Sequence, residues 1–531
     1  MVDSDDDRGT MAPSSDQHPP YRFEPDRRTA SLVAQFGEIE AGTESGVVVT
    51  VAGRVLLNRD QGKLCFASLT DSSGSIQLFA GTAWTDGFDG FKKIRLGDWI
   101  GATGVVMKTR KGELSVKVSS WVVLAEARRG FGDKWRGITD TETRYRQRYA
   151  DLWANPSSRT AFRARSRIMS LTRRFLEDRD FIEVETPVFH PIPGGALARP
   201  FVTHHNALDT DLFLRIAPEL YLKRLVVGGF ERVFEMARVF RNEGLSTRHN
   251  PEFTMLELYQ AYGDYHDAMA LTEELVAHLA VEICGTTSLA YGPEGRALDL
   301  AAPWRRATLV DLVEEHAGVS VDVRMGRDEL ARIAQDFGVT VKDGYGPGKL
   351  ILEIYEKTTE AALWGPIFVV DSPQEVSPRA RAHREVPGMV ERFEAIVAGR
   401  ELCNAFSELV DPDEQRARFE DQAAQKAAGD DEAMVVDEDY LRALEYGLPP
   451  TAGLGIGMDR LVMLLTGAEA IRDVILFPTL RPEVFSPEVF RPEVFSPPVS
   501  SPEVSSPEGE AVDRKVTEVI HTGQTGPPAD E

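Results

Sequence analysis

FEMARVFRNEGLSTRHNPEFTMLELYQAY, from Phe234 to Tyr262, is the stretch on which the reading of this chain turns. It alternates in character, passes through a polar loop, and alternates again. That pattern predicts two antiparallel strands, joined by a loop too long and too charged for a simple hairpin turn. In the second run a period of two puts Phe253, Met255, Glu257, Tyr259 and Ala261 on one face. Thr254, Leu256, Leu258 and Gln260 fall on the other. A carboxylate and a phenol in an otherwise apolar row are costly to bury without partners. Arg241 and Glu243 flank an asparagine at the start of the loop, and Arg248, His249 and Asn250 follow. A guanidinium carries planar donors that match two phosphate oxygens at once. A solvated loop beside a stray core carboxylate is the plainer alternative.

The long run FRNEGLSTRHNPEFTMLELYQAY resembles the second signature motif of class II aminoacyl-tRNA synthetases, in the form carried by lysyl-tRNA synthetases. The resemblance extends over about residues 46–481 and implies an α+β chain. An N-terminal OB-fold β-barrel would precede a class II catalytic domain, an antiparallel sheet flanked by helices. The implied activity is ATP-dependent activation of L-lysine to lysyl-adenylate and transfer to the 3′ end of lysine tRNA.

Composition is that of an ordinary globular protein, with 42% hydrophobic and 27% charged residues in a chain of 531, enough for two or three domains. No run of about 18 apolar residues predicts a membrane span. The acidic start MVDSDDDRGTMAPSSD lacks the apolar segment of a signal peptide. Cys65, Cys284 and Cys403 lie far apart without metal-ligand spacing, which points to a reducing cytoplasm. The net charge of −24 weakens a nonspecific nucleic-acid binder but leaves room for a shaped RNA site with local basic patches. Part of that charge sits in the tail: from Pro482 to Glu531 ten acidic residues stand against three basic, a net of −7.

The expected organisation runs as follows. Residues 1–44 are a largely disordered extension, with a short helical stretch near Ala30–Ile39. Residues 45–130 carry five short strand signals separated by turns such as DSSG, which suits a small closed barrel. Phe66, Gln77 and Glu113 match the family positions that read the anticodon, an aromatic ring stacking an unpaired base and polar groups reading base edges. Phe66 is equally a core residue in the absence of that resemblance. Residues 131–157 form a linker whose Arg136, Arg144, Arg146 and Arg148 face either RNA or solvent. The catalytic domain spans 158–481. It opens on a helix and the strand FIEVETPVF, which Pro187 ends, a unit that resembles the first class II motif and implies a homodimer. Residues from His266 to Leu363 read as helices packed around the sheet.

Two more constellations carry the chemistry. In ERFEAIVAGRELCNAFSELVD two strands meet at a turn at Ala398-Gly399, with Asn404, Phe406 and Glu408 on one face. Glu394 and Glu401 lie on either side of the turn, where convergent carboxylates suit magnesium with phosphate oxygens completing its shell. In PTAGLGIGMDRLVMLLTG alternating Gly453, Gly455 and Gly457 clear one strand face, and Arg460 follows at a helix start. The resemblance assigns Glu394 and Glu401 to the ATP-bound Mg2+. ATP would be held by Arg241, Glu243, His249, Asn250, Phe253 and Arg460, with Arg241 and Arg460 catalytic. Lysine would be held by Gly195, Glu219, Arg241, Glu257, Tyr259, Asn404, Phe406 and Glu408, with Glu219 on the α-amino group. Charge logic supports lysine separately: a buried carboxylate without its cation costs about 3–5 kcal/mol. Arginine and ornithine are not separated from lysine by charge alone.

After Arg481 the sequence becomes PEVFSPEVFRPEVFSPPVSSPEVSSPEGE, a Pro-rich repeat that reads as a disordered tail over 482–531. Two other functions fit parts of the chain: a lysyl ligase with a non-tRNA acceptor, and an inactive RNA-binding regulator. The barrel speaks against the first, and the retained Arg241, Glu394, Glu401 and Arg460 against the second.

Overall fold

The computed structural model describes residues 19–129, 137–427 and 435–482. The expected tail beyond Pro482, the first 18 residues and Arg136 lie outside them. Five strands, β1 (Glu44–Asp60), β2 (Leu64–Thr70), β3 (Ser75–Gly81), β4 (Trp99–Lys108) and β5 (Leu114–Ala125), close a barrel in the order β1-β2-β3-β5-β4. Alternation along each strand sends Val49, Val51, Leu69, Leu78, Val106 and Val116 inward. The barrel core reaches back into the N-terminal extension. Helix α1 (Thr29–Phe36) buries Leu32 and Phe36 in it, while the short α2 (Phe88–Phe91) covers it with Phe88 and Phe91.

Asp71, in the β2–β3 turn, pins α1 to the barrel. Its carboxylate accepts hydrogen bonds from the backbone N–H of Thr29 (2.8 Å), Ser73 (2.6 Å) and Gly74 (3.0 Å). Partial burial pushes this carboxyl upward, but the donors of Thr29 and Ser73 outweigh it and hold the pKa at about 2.

Helices α3 (Thr141–Arg146) and α4 (Arg148–Ala154) lead into α5 (Pro156–Glu177). The expectation that Arg148 faces RNA or solvent is corrected here. Its side chain is fully buried, ion-paired to Asp151 at 2.7 Å, and donates to the carbonyls of Arg472 (2.8 Å) and Leu476 (3.0 Å). It clips the linker to the C-terminal end of the catalytic domain. Arg144 joins the same Asp151, and Arg146 pairs with Glu142.

The large sheet has eight strands. They are β6 (Ile182–Glu183), β10 (Arg232–Phe240), β11 (Glu252–Ala261), β14 (Arg305–Thr308), β15 (Ile367–Pro373), β16 (Met389–Val397), β17 (Arg400–Ser407) and β18 (Thr451–Gly457). Their order is β14-β15-β16-β17-β18-β11-β10-β6, antiparallel except for the outermost pair at each end. One face packs on α5, α7 (Tyr265–Cys284) and α13 (Met458–Thr466) through Phe234, Leu256, Leu258, Leu454 and Ile456. The other face is left for the site. Strands β7 (Phe189–His190), β8 (Val202–His205) and β9 (Thr210–Leu214) form a small separate sheet. Helix α6 (Glu219–Val227) then leads into β10.

The helical segments expected between His266 and Leu363 all form, with short strands between the first two. After α7 come the hairpin β12 (Ser288–Tyr291) and β13 (Arg296–Asp299), then β14 on the sheet edge. Helices α8 (Leu309–Ala317), α9 (Arg327–Asp336) and α10 (Pro347–Thr358) share a second core with β15 and β16. Two helices with no sequence expectation, α11 (Pro412–Ala427) and α12 (Glu438–Glu445), precede β18, and α14 (Ile471–Val474) follows α13. Among the described residues no helix is long and apolar enough to cross a membrane.

Replacing Asp71 with Ala is expected to destabilise the barrel by about 1–2 kcal/mol, read by denaturant unfolding. Because the folded pKa is depressed, the carboxylate's contribution is full above about pH 4 and is lost as pH falls toward 2. The difference between wild type and variant therefore shrinks with acid.

Candidate active site

The free face of the sheet forms the floor of a cavity of about 470 Å³. Strand β11 supplies Phe253, Met255, Glu257 and Tyr259, the face set by its period of two, while Leu256 and Leu258 point into the core behind. Strand β17 adds Asn404 and Phe406, and β18 lies between them with Gly453, Gly455 and Gly457. Of the residues expected to hold ATP or the amino acid, Gly195, Glu219, Arg241, Glu243, His249, Asn250, Phe253, Glu257, Tyr259, Glu394, Glu401, Asn404, Phe406 and Arg460 all line this cavity. Glu408 does not. It is 1% exposed and sits behind the wall, beside Gly453 and Tyr259.

At the end that holds Glu219, Glu257 and Tyr259, charge is buried. Glu257 is 4% exposed. Burial first, then the neighbouring Glu219 carboxylate, push its pKa up to about 8, against the pull of Arg241 and Arg379. Tyr259 is raised by the same burial and donates toward Glu257 at 3.4 Å. Glu219 is ion-paired with Lys223 and Arg379, each at 2.7 Å. Gly195 packs against this end with a φ of +89°, and a Cβ there would stand 3.1 Å from those of Ala217 and Glu219. Gly453 is tighter still. A Cβ at that position would fall 1.9 Å from Glu408 Oε1 and 2.7 Å from Tyr259 Cε1.

The opposite end is cationic and aromatic. Arg241 lies over the Phe253 ring at 5.2 Å and donates weakly to the Ile216 carbonyl (3.4 Å), so its fork stays directed into the cavity. Burial lowers its pKa from the ordinary arginine value. Arg460 donates to the Glu401 carbonyl (2.8 Å) and carboxylate (3.0 Å), and lies 3.4 Å from His249 Nε2. Burial, then Arg460, lower the pKa of His249. Asn250 is buried with its Oδ1 unpartnered among the described residues.

Glu394 and Glu401 stand on either side of the β16–β17 turn. Ala398 and Gly399 take φ of 52° and 69°, the left-handed pair of a two-residue hairpin. The N–H groups of both donate at 2.7 Å, to the carbonyls of Trp364 and Leu363. Burial and the Glu401 charge push Glu394 up to about 7 despite Arg392. Burial opposes ionisation of Glu401 too, but Arg460 keeps its pKa below the usual value. Two neighbouring carboxylates, one of them raised by burial and by the other's charge, suit a hard divalent ion. Among the described residues no cluster of three or more carboxylates, histidines or cysteines surrounds a metal position. Further oxygen ligands would therefore come from a phosphate.

On the barrel, Phe66 is half-buried and stacks on Phe79 at 5.0 Å. It stands outside the barrel core. Gln77 pairs across to Ser68 and donates to Ser115 Oγ at 2.9 Å, and Glu113 is exposed just before Ser115. The three expected anticodon contacts thus lie on neighbouring strands and a loop of one barrel face.

Two family models match. Residues 140–481 fit "tRNA synthetases class II (D, K and N)", and residues 49–124 fit "OB-fold nucleic acid binding domain". The chain is 54% identical to the lysine–tRNA ligase of Synechococcus sp. (strain CC9605), covering 87% of this chain and 93% of that protein. It is 52% identical to the lysine–tRNA ligase of Burkholderia cenocepacia (strain HI2424), with the same coverage. The chain belongs to the class II lysine–tRNA ligase family. Within that family of aminoacyl-tRNA synthetases, the sequence reading found much of the cavity wall but missed Arg379 and Arg392 in it and Lys223 behind it. Lys223 was legible as a cation four residues after Glu219 on one helix face. Arg392 shares the Glu394 face of β16 by the period of two, while Arg379 comes from the irregular segment before it.

Gly453→Ala should cost about 1–3 kcal/mol of stability through overpacking against the Tyr259 ring, measured by denaturant unfolding. Gly457→Ala, whose Cβ would stand 3.6 Å from Arg460, should be nearly neutral in the same assay.

Proposed function

We propose that this chain activates L-lysine with ATP and transfers it to lysine tRNA, with the cavity as the site of both steps. The observation that carries the reading is one cavity with buried carboxylates at one end and directed guanidinium groups at the other. The substrate's α-ammonium meets Glu219, and its side-chain ammonium meets Glu257, Tyr259 and Glu408. A neutral side chain would leave these acceptors unpaired, which selects against it by roughly 10⁴-fold.

Arg241 brings the lysine carboxylate and the α-phosphate together. A carboxylate oxygen attacks the α-phosphorus in line, the bond to the bridging oxygen breaks, and pyrophosphate leaves. Charge on the equatorial oxygens is met by Arg241 and on the outer phosphates by His249 and Arg460. No side-chain nucleophile is needed, so positioning supplies most of the rate. Phe253 stacks on adenine, and Glu243 and Asn250 accompany it. Glu394 and Glu401 would hold Mg2+, which neutralises phosphate charge when bound. The ribose hydroxyl at the tRNA terminus then attacks the carbonyl carbon, and AMP departs.

The barrel face with Phe66, Gln77 and Glu113 would read the anticodon. A homodimer belongs to the proposal: Ile182, Val188, Phe189 and Val202 are exposed on and beside β6, β7 and β8, a surface suited to a second copy. A cytoplasmic location accords with the tRNA substrate.

The test is amino-acid-dependent exchange of pyrophosphate into ATP, followed by charging of tRNA. Exchange with lysine and charging of lysine tRNA is the expected result. Exchange without charging would favour a different acceptor, and no exchange would overturn the enzymatic reading. Arg241→Ala should lower kcat/KM for exchange by roughly 10²–10³-fold.

A further inference from the structure

Behind the cavity wall lies a cation that the proposed chemistry does not use. The Lys223 side chain is fully buried, and its Nζ stands 2.7 Å from Glu219 Oε1 and in direct contact with Glu408 Oε2. The rings of Phe406, Tyr440 and Tyr259 lie around it at 5.4, 5.9 and 6.0 Å. Burial disfavours its charge, but Glu219 and Glu408 raise its pKa above the ordinary lysine value. It is therefore a fixed ammonium in a site built to receive another.

The two carboxylates depend on it unequally. Glu219 has a second cation in Arg379, at 2.7 Å. Glu408 makes one ion pair among the described residues, with Lys223. Its other oxygen, Oε1, has no hydrogen-bond partner there and is turned toward Gly453 and Tyr259, both of which line the cavity. Accepting the lysine reading above, we propose that Lys223 is a positioning and specificity-determining residue that acts through Glu408. Its ammonium holds that carboxylate by one oxygen and leaves the other to receive the side-chain ammonium of the substrate.

The groups facing Glu408 are Lys223 and Glu219 from α6, Tyr259 from β11, Arg379 from the loop before β16, and Tyr440 from α12. Burial pushes Glu408 up to about 8, and Lys223 is the strongest opposing influence. Only the ionised form accepts an ammonium, so lysine binding weakens as pH falls through this pKa. Removing Lys223 raises the pKa further, and the acid limb moves to higher pH.

The full-length enzyme with Lys223→Met is to be compared with wild type and Lys223→Arg in lysine-dependent pyrophosphate exchange across pH. For Lys223→Met, KM for lysine should rise about tenfold or more near neutral pH. The acid limb of kcat/KM for lysine should move up by about one unit. KM for ATP and kcat at saturating lysine should stay near wild type, and Lys223→Arg should recover much of the loss. An unshifted pH profile, or equal changes in the two KM values, would overturn the inference.

Should Lys223→Met not fold, Glu408→Gln and the double variant Lys223→Met/Glu408→Gln decide the matter, since the double leaves no unpaired charge. Equal lysine KM in the two supports action through Glu408, and a further tenfold loss in the double contradicts it. Lack of lysine exchange by the wild type would instead sink the lysine reading itself.

Discussion

The structure depends on a constraint of electrostatics: several buried carboxylates face a cavity or lie just behind its wall. A buried charge persists only when paired or when its pKa shifts. Both solutions occur here. Glu219 is flanked by Lys223 and Arg379, while Glu257 and Glu408 are displaced upward to about 8. These carboxyls keep acceptor capacity that protein cations do not exhaust. Glu394, pushed to about 7 at the opposite end of the cavity by burial and the Glu401 charge, shows the second of those solutions again.

The sheet makes this arrangement possible. Antiparallel pairing brings β11, β18 and β17 side by side, so that Glu257, Gly455 and Asn404 fall in one row across three strands. The helices α5, α7 and α13 bury the opposite face and fix the strands. Glycines in the middle strand open the row. At Gly453 the cleared space is taken by Glu408 and Tyr259. Arg148, whose donors reach Arg472 and Leu476, clips the linker onto the segment that follows α13.

What was legible in the sequence follows from how local each signal is. The face of β11 and the turn at Ala398-Gly399 could be read because period two and turn chemistry depend on near neighbours. The strands β12–β14 lie between the expected helices and carried no expectation of their own, since four-residue strands carry too few alternations to register. Arg148 looked like an RNA contact because its partners at 472–476 are distant in the chain. Phe66 was ambiguous between core and surface, and pairing with Phe79 on the outer barrel face resolves it. Glu408 shares its face with Asn404 and Phe406 by spacing, yet sits beyond the end of β17 and behind the wall. No period-two argument reaches that far.

The central claim is that buried, partly protonated carboxyls await a substrate ammonium. Calorimetric titration of the enzyme with lysine and with norleucine, in two buffers of different ionisation enthalpy near pH 7, tests it most directly. Lysine should bind with net release of protons, because its ammonium groups draw Glu257 and Glu408 into their ionised forms. Norleucine, with no side-chain charge, should bind far more weakly. Comparable binding of the two, or lysine binding without proton release, would contradict the account.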